Sequence, residues 1–132
     1  MKNQIYSVIC VLFAILILVF RTESALAQDA TKVDSTHYKV EFENDQVRVL
    51  RITYGPGEKS VMHEHPEGVL VFLTDVRGKF TFPDGTTEEI TGKAGQTVWA
   101  PAGKHLPENI SNEPLEVILV EMKVKPAATK KN

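Results

Sequence analysis

The sequence predicts an all-β sandwich or barrel after its first 27 residues, on three observations. Short alternating or apolar runs of strand length recur along the chain, with glycine, proline and aspartate between them. Tight-turn signals such as Pro83-Asp84-Gly85 join neighbouring runs. No stretch after the first segment shows sustained helical periodicity. Because 132 residues suit one domain, we predict a single all-β unit.

The first 27 residues have the layout of a secretory signal peptide. Lys2 gives a positive start, positions 5–20 form an apolar run, and Ala25-Leu26-Ala27 supplies small residues for a signal peptidase. The alternative is an uncleaved membrane anchor, but the apolar run is shorter than the roughly 20 residues that a span needs. We therefore predict cleavage after Ala27, no stable membrane anchor afterwards, and a periplasmic or secreted protein.

Cleavage would leave a weakly acidic chain without cysteine. Loss of Lys2, Arg21 and Glu23 leaves 13 basic and 16 acidic residues, a net charge of −3, which argues against a nucleic-acid partner. Cys10, the single cysteine, lies inside the apolar run. The mature chain therefore has no thiolate, and any metal must be held by His, Asp, Glu or water.

The remaining chain divides into a lead-in, a strand-rich region and a tail. Residues 28–36 are polar and predict a flexible lead-in, and residues 125–132, with Pro126 and three lysines, predict a flexible tail. Residues 37–124 hold the strands. The predicted strands are 37–43, 46–54, 69–74, 79–82, 86–91, 96–100 and 115–124.

His63 and His65 are the most informative pair of residues. Side chains two positions apart on a strand point to one face, so both imidazoles can reach a single ion. The pair alone is also compatible with two polar residues on a wet strand face. His105 follows Pro101-Ala102-Gly103, and a second strand could deliver it from the opposite wall. Imidazole suits zinc, copper, iron and nickel, so the ligands do not select the metal.

Two motifs around these histidines resemble those of the cupin superfamily, over roughly residues 37–124. The segment similar to the first motif comprises Gly57, His63-Glu64-His65 and Gly78. The segment similar to the second comprises Gly95, Pro101-Ala102-Gly103, His105 and Asn109. The resemblance implies a double-stranded β-helix, or jelly-roll barrel, with an internal divalent metal whose ligands are His63, His65 and His105.

The sequence departs from the family pattern at the glutamate that usually completes the ligand set. The window about four residues after the second histidine reads Gly68-Val69-Leu70. Glu67 is near but out of register, and a one-residue slip turns a side chain to the other face of a strand. We list Glu67, Trp99 and Asn109 as candidate cavity or substrate contacts. For Trp99 a core or dimer position is favoured, and Asn109 is expected to hold a turn.

These features predict an exported metal-binding cupin that acts on a small molecule. Three-histidine sites in the superfamily are associated with oxygen-using iron enzymes, so we favour a dioxygenase-like reaction, with isomerase chemistry open and no catalytic residue assigned. Iron, zinc, manganese and nickel are not distinguished. The alternative is a non-catalytic module that binds a sugar, an acid or a metal. Small cupins often dimerise, and the Tyr38-Val40-Phe42 face is a candidate homodimer contact.

Overall fold

The structure, a computed structural model, describes residues 28–123, which form nine β-strands and one short helix. The predicted signal peptide and tail lie outside this range. No helix within it is long and apolar enough to cross a membrane. The elements are α1 (Ala30–Val33), β1 (Tyr38–Glu43), β2 (Val47–Tyr54), β3 (His63–His65), β4 (Gly68–Phe72), β5 (Val76–Thr81), β6 (Thr87–Gly92), β7 (Thr97–Ala100), β8 (Gly103–Asn109) and β9 (Leu115–Met122).

The strands form two antiparallel sheets that enclose one core. The five-stranded sheet has the order β1-β2-β9-β4-β7, and the four-stranded sheet has the order β3-β8-β5-β6. Alternate side chains of β2 and β9 point inward, so Leu50, Ile52, Val117 and Leu119 are buried together. The all-β, double-stranded β-helix architecture predicted from the sequence is confirmed.

The two strands that carry the histidines were not among the predicted strands. β3 has only three residues, and β8 contains Pro107. Proline cannot donate a ladder hydrogen bond, so a strand containing it has a weak signature in the sequence. Pairing of β3 with β8, and of β8 with β5, holds both strands in place.

A short helix lies within the lead-in that we predicted to be flexible. The Asp29 carboxylate accepts a hydrogen bond of 2.9 Å from the Thr31 backbone N–H and so caps α1. Ala30 is 1% exposed. The Gln28 carbonyl accepts a hydrogen bond of 3.0 Å from the Glu64 backbone N–H. The segment therefore packs against β3. Its polar composition did not predict this packing, because the single small residue Ala30 makes the buried contact.

A β-bulge in β1 separates residues that we predicted to share one face. The register shifts between Val40, opposite Leu50, and Phe42, opposite Val49. Tyr38 is buried, whereas Val40 and Phe42 are 47% and 52% exposed. The extra residue of the bulge breaks the two-residue period on which the prediction relied. The Tyr38-Val40-Phe42 surface therefore does not exist as one exposed face.

Candidate metal centre

Neighbouring strands of one sheet bring the three predicted histidines together. In the antiparallel pairing of β3 with β8, His63 lies directly opposite His105. The His105 ring centroid is 5.3 Å from that of His63 and 4.9 Å from that of His65. His63 and His65 are buried and the intervening Glu64 is exposed, as strand alternation requires. His105 thus comes from the adjacent strand, not from the opposite wall as we expected.

Backbone carbonyls fix the tautomer of two of these rings. His63 Nδ1 lies 2.9 Å from the Val61 carbonyl oxygen, and His65 Nδ1 lies 2.7 Å from the Pro66 carbonyl oxygen. A carbonyl can only accept, so each Nδ1 carries the proton and each Nε2 keeps its lone pair. Metal-binding histidines in proteins are oriented in this way by a second hydrogen bond.

Burial disfavours the charged form of His63 and His105. It lowers the pKa of His63, and burial together with the nearby His65 and His63 lowers the pKa of His105 to about 3. Removing a charge from water and placing it beside other cations are both unfavourable, so the neutral form prevails near pH 7. Neutral imidazole is the form that ligates a metal.

A tyrosine pair is hydrogen-bonded to this cluster. The Tyr38 hydroxyl lies 3.1 Å from His63 Nε2, and since Nδ1 of that ring carries the proton, Tyr38 is the donor. The Tyr54 hydroxyl donates to the Tyr38 oxygen over 2.9 Å. Burial raises the pKa of Tyr38 well above its usual value, so the phenol stays protonated. The lone pair on His63 Nε2 therefore already accepts a hydrogen bond from Tyr38.

Two cavities meet at the histidines. The inner cavity has a volume of about 70 Å³, is largely apolar, and is lined by all three histidines and by Tyr38. The outer cleft is about 510 Å³, within the size range of small-molecule sites, and shares His65 and His105 with the inner cavity. Phe80 borders both and stacks on His105, with ring centroids 4.3 Å apart. A ligand in the cleft would thus reach the histidine cluster.

The other three candidate contacts lie in different settings. Glu67 is exposed and is absent from the lining of both cavities, because β4 begins one residue later with Gly68 facing inward. Trp99 borders the outer cleft but is 57% exposed, since its inward neighbours on β7 are Val98 and Ala100. Glu67 therefore does not supply the missing carboxylate.

Asn109 is buried, and its side chain is hydrogen-bonded to residues in two turns. It lines neither cavity, so it is not the substrate contact that we listed. Its Nδ2 donates to the carbonyls of Gly55 (3.0 Å) and Glu113 (2.8 Å), and its Oδ1 accepts from the Ser111 backbone N–H over 3.0 Å. These bonds tie together the segments that follow β2 and β8. All of its polar atoms are engaged within the protein.

The donor set fits a divalent ion, although the rings are not arranged around one. Among residues 28–123, no three His, Cys, Asp or Glu side chains are placed to hold a common ion. The Tyr38 bond to His63 Nε2 accounts for part of this, because that lone pair cannot serve two partners. Three imidazoles remain a suitable ligand set for zinc, iron or nickel.

Tyr38, Tyr54 and Phe80 complete the site, and the sequence did not single them out for it. Tyr38 was assigned to a candidate dimer face, and Phe80 was placed on a predicted strand. An aromatic residue on a strand has the same sequence signature whether it packs in the core or lines a cavity. Only the pairing of strands places these rings beside the histidines.

No family model and no curated protein matches this sequence. Solved structures do match. A cupin domain from Bordetella pertussis is 24% identical with a TM-score of 0.61, covering 66% of this chain and 92% of that one. A double-stranded β-helix protein from Klebsiella pneumoniae is 21% identical, with a TM-score of 0.50 and coverage of 67% and 84%.

A third match is the polyketide cyclase RemF from Streptomyces resistomycificus. It is 19% identical with a TM-score of 0.50, covering 67% of this chain and 66% of that one. At these identities the similarity establishes the fold, and chemistry must be argued from the site. The two-sheet barrel, its motif histidines on adjacent strands and these matches lead to one conclusion: residues 28–123 of this chain have the cupin fold.

Proposed function

We propose that this chain is an exported protein whose cupin barrel binds a divalent metal ion through His63, His65 and His105 and acts on a small molecule in the adjoining cleft. One observation carries the proposal: the Val61 and Pro66 carbonyls hold the Nδ1 protons of His63 and His65, so that each Nε2 is unprotonated and can bind an ion, that of His63 in exchange for its Tyr38 hydrogen bond. The signal-peptide pattern of residues 1–27 supports export.

The surroundings favour a reaction on a small oxygen-bearing compound. A bound ion would act as a Lewis acid toward substrate oxygens. The Tyr38 hydroxyl, once released from His63, is a donor for an anionic oxygen in the inner cavity, and the Tyr54 hydroxyl orients it. The apolar lining excludes water. We therefore favour a phenolic or enolisable substrate and an oxygenase-like reaction. The polyketide cyclase among the structural matches is consistent with a cyclic polyketone-like ligand.

The first prediction concerns metal content. Protein expressed from the full-length sequence and purified without chelators is expected to contain about one equivalent of divalent metal by elemental analysis. Changing His63→Ala or His105→Ala removes a ligand. The expected loss of affinity exceeds about 100-fold, because even residues that only hydrogen-bond to a ligand and orient it contribute 10- to 100-fold.

His37→Ala is the matched control for these variants. His37 lies outside the cluster and is hydrogen-bonded to Asp34 over 2.8 Å, so its removal should leave the metal content unchanged. A wild-type protein that holds less than roughly a tenth of an equivalent after loading would contradict the proposal. So would a His37→Ala variant that loses metal as fully as the other two.

The second prediction concerns Tyr38, whose hydroxyl is hydrogen-bonded to His63 Nε2. Tyr38→Phe removes a donor that competes with the metal for His63 Nε2, so zinc should bind about 2- to 10-fold more tightly, the equivalent of one hydrogen bond. Isothermal titration with Zn²⁺ measures this. Tyr54→Phe keeps the Tyr38 hydroxyl and should change affinity less. Weaker zinc binding in Tyr38→Phe would show that the phenol supports the site instead of competing with the ion.

The second candidate is a binding module without catalysis, and the shortage of acid–base groups in the inner cavity favours it. Within residues 28–123, Glu108 is the only acidic residue that lines the inner cavity, and its carboxylate is 2.8 Å from Lys79 Nζ. Oxygen uptake by the iron-loaded protein with a panel of phenols and diketones separates the two functions. Turnover supports an enzyme, whereas ligand binding without turnover supports the module.

A further inference from the structure

One carboxylate on the inner face of the four-stranded sheet borders the outer cleft. Glu88 lines this cleft and lies directly opposite Phe80 in the pairing of β6 with β5. Directly paired residues of an antiparallel sheet share a face, and Ile90, two residues along β6, packs against the core. Glu88 therefore lies on the face that carries Phe80. Within residues 28–123, no cation forms an ion pair with it.

Two other charged residues border the cleft, and strand alternation turns both away from it. Glu89 follows Glu88 and so lies on the outer face of the sheet, where its carboxylate is 3.8 Å from the Arg77 guanidinium. Lys104 precedes His105, which lines both cavities, so the lysine side chain also belongs to the outer face. In the part of the chain that the structure describes, Glu88 is thus the charged residue whose strand position faces the cleft.

The register places Glu88 at the length of a small molecule from the histidines. On the inner face, Pro107 of β8 lies opposite Phe80 of β5, which lies opposite Glu88 of β6. His105 precedes Pro107 by two residues on the same face. Neighbouring strands are about 4.8 Å apart, so roughly 10 Å separate β8 from β6. A ligand with one end at the histidines would therefore extend past Phe80 and reach Glu88 with its other end.

The chemistry at the far end of the cleft suits a cation. A carboxylate forms charge-assisted hydrogen bonds with an ammonium group. Phe80 and Phe82 both border the cleft, and an aromatic ring attracts a cation placed over its face. A ligand carboxylate in the same place would meet a like charge. From these observations we infer that the substrate of the proposed site carries an ammonium group, bound by Glu88, at the end remote from the oxygen that reaches the metal; this inference rests on the proposed function.

Three probes of matched shape test the inference. Tyramine, para-ethylphenol and para-hydroxyphenylacetate share a phenol and differ in the charge of the para arm, which is positive, neutral and negative. Calorimetric titration uses protein expressed from the full-length sequence, both loaded with zinc and free of metal. We expect tyramine to bind about 5- to 10-fold more tightly than para-ethylphenol, and para-hydroxyphenylacetate to bind most weakly.

Glu88→Lys is the decisive variant, because it should reverse the order of the two charged probes. The affinity for para-ethylphenol should stay within about 2-fold, since the phenol end is not altered. Glu88 is exposed on its strand, so the exchange should leave the fold intact. Glu89→Lys is the matched control, since it makes the same change in net charge one residue away on the outer face. It should keep the order of the wild-type protein.

Two results would overturn the inference and leave the proposed function standing. One is equal affinity of the wild-type protein for the three probes. The other is a Glu89→Lys variant that reverses the order as fully as Glu88→Lys, since net charge and not position would then be responsible. Absence of binding of all three probes to both forms would overturn the inference and the small-molecule function together. A preference for tyramine that persists in metal-free protein would support the inference even if zinc does not bind.

Discussion

Replacing Arg48 with alanine is expected to lower the free energy of unfolding by about 3–5 kcal/mol. Arg48 Nε donates to Glu121 Oε2 and its terminal nitrogen donates to Asp29 Oδ2, each over 2.6 Å. Glu121 is 1% exposed, and its Oε1 has no hydrogen-bond partner among the described residues. Without Arg48 the buried carboxylate keeps its desolvation cost and loses its cation.

The matched control removes both members of the pair. In Arg48→Met with Glu121→Leu, apolar side chains of similar size replace the buried ions, and such exchanges are often neutral or stabilising. Urea denaturation measures all three proteins. A double variant as unstable as Arg48→Ala would show that the Asp29 contact, which holds the end of α1, accounts for the loss.

Gly68→Ala is the second change with a large expected effect. A Cβ atom at Gly68 would lie 2.2 Å from the Val120 carbonyl oxygen, a backbone atom of the adjacent strand that cannot turn aside. β4 pairs with β7 and β9, so moving it disturbs the middle of the five-stranded sheet. We expect a loss of about 3 kcal/mol or more in the free energy of unfolding.

Gly103→Ala provides the comparison for Gly68. Nothing lies within 4 Å of a Cβ atom built at Gly103, and its backbone is not left-handed. Gly103 is the first residue of β8, the strand that carries His105. If any glycine-to-alanine change near the histidines destabilised the protein, Gly103→Ala would do so too. Thermal unfolding should show a large decrease for Gly68→Ala and a small change for Gly103→Ala. Equal decreases would contradict the close-approach argument.

The strands were predictable from the sequence wherever the pattern of apolar and polar residues shows which side chains are buried. The alternation in β2 and β9 and the apolar run of β4 report directly which side chains face the core. His63 and His65 share the buried face of β3 for the same reason, and Glu64 points to solvent. The candidate metal ligands could therefore be proposed from spacing and from the cupin resemblance.

Prediction failed where a contact joins distant parts of the chain. The bulge between Val40 and Phe42 turns Phe42 to the face opposite Tyr38, and it depends on the pairing of β1 with β2. Glu67 is close to His65 in the sequence, yet its side chain stays outside because β4 begins at Gly68. Single-residue shifts in register are decided by pairing, and they redirect every side chain that follows.

By itself, the sequence determined the class of fold and the three histidines that could form one site, because alternation, turn residues and motif spacing act within a few positions. The tertiary structure decided that His105 faces its partners from the next strand, that Tyr38 occupies His63 across 25 residues, and that Arg48 neutralises Glu121 across 73. A hydrogen bond or ion pair depends on distances of about 3 Å, which only the packing of the two sheets can set.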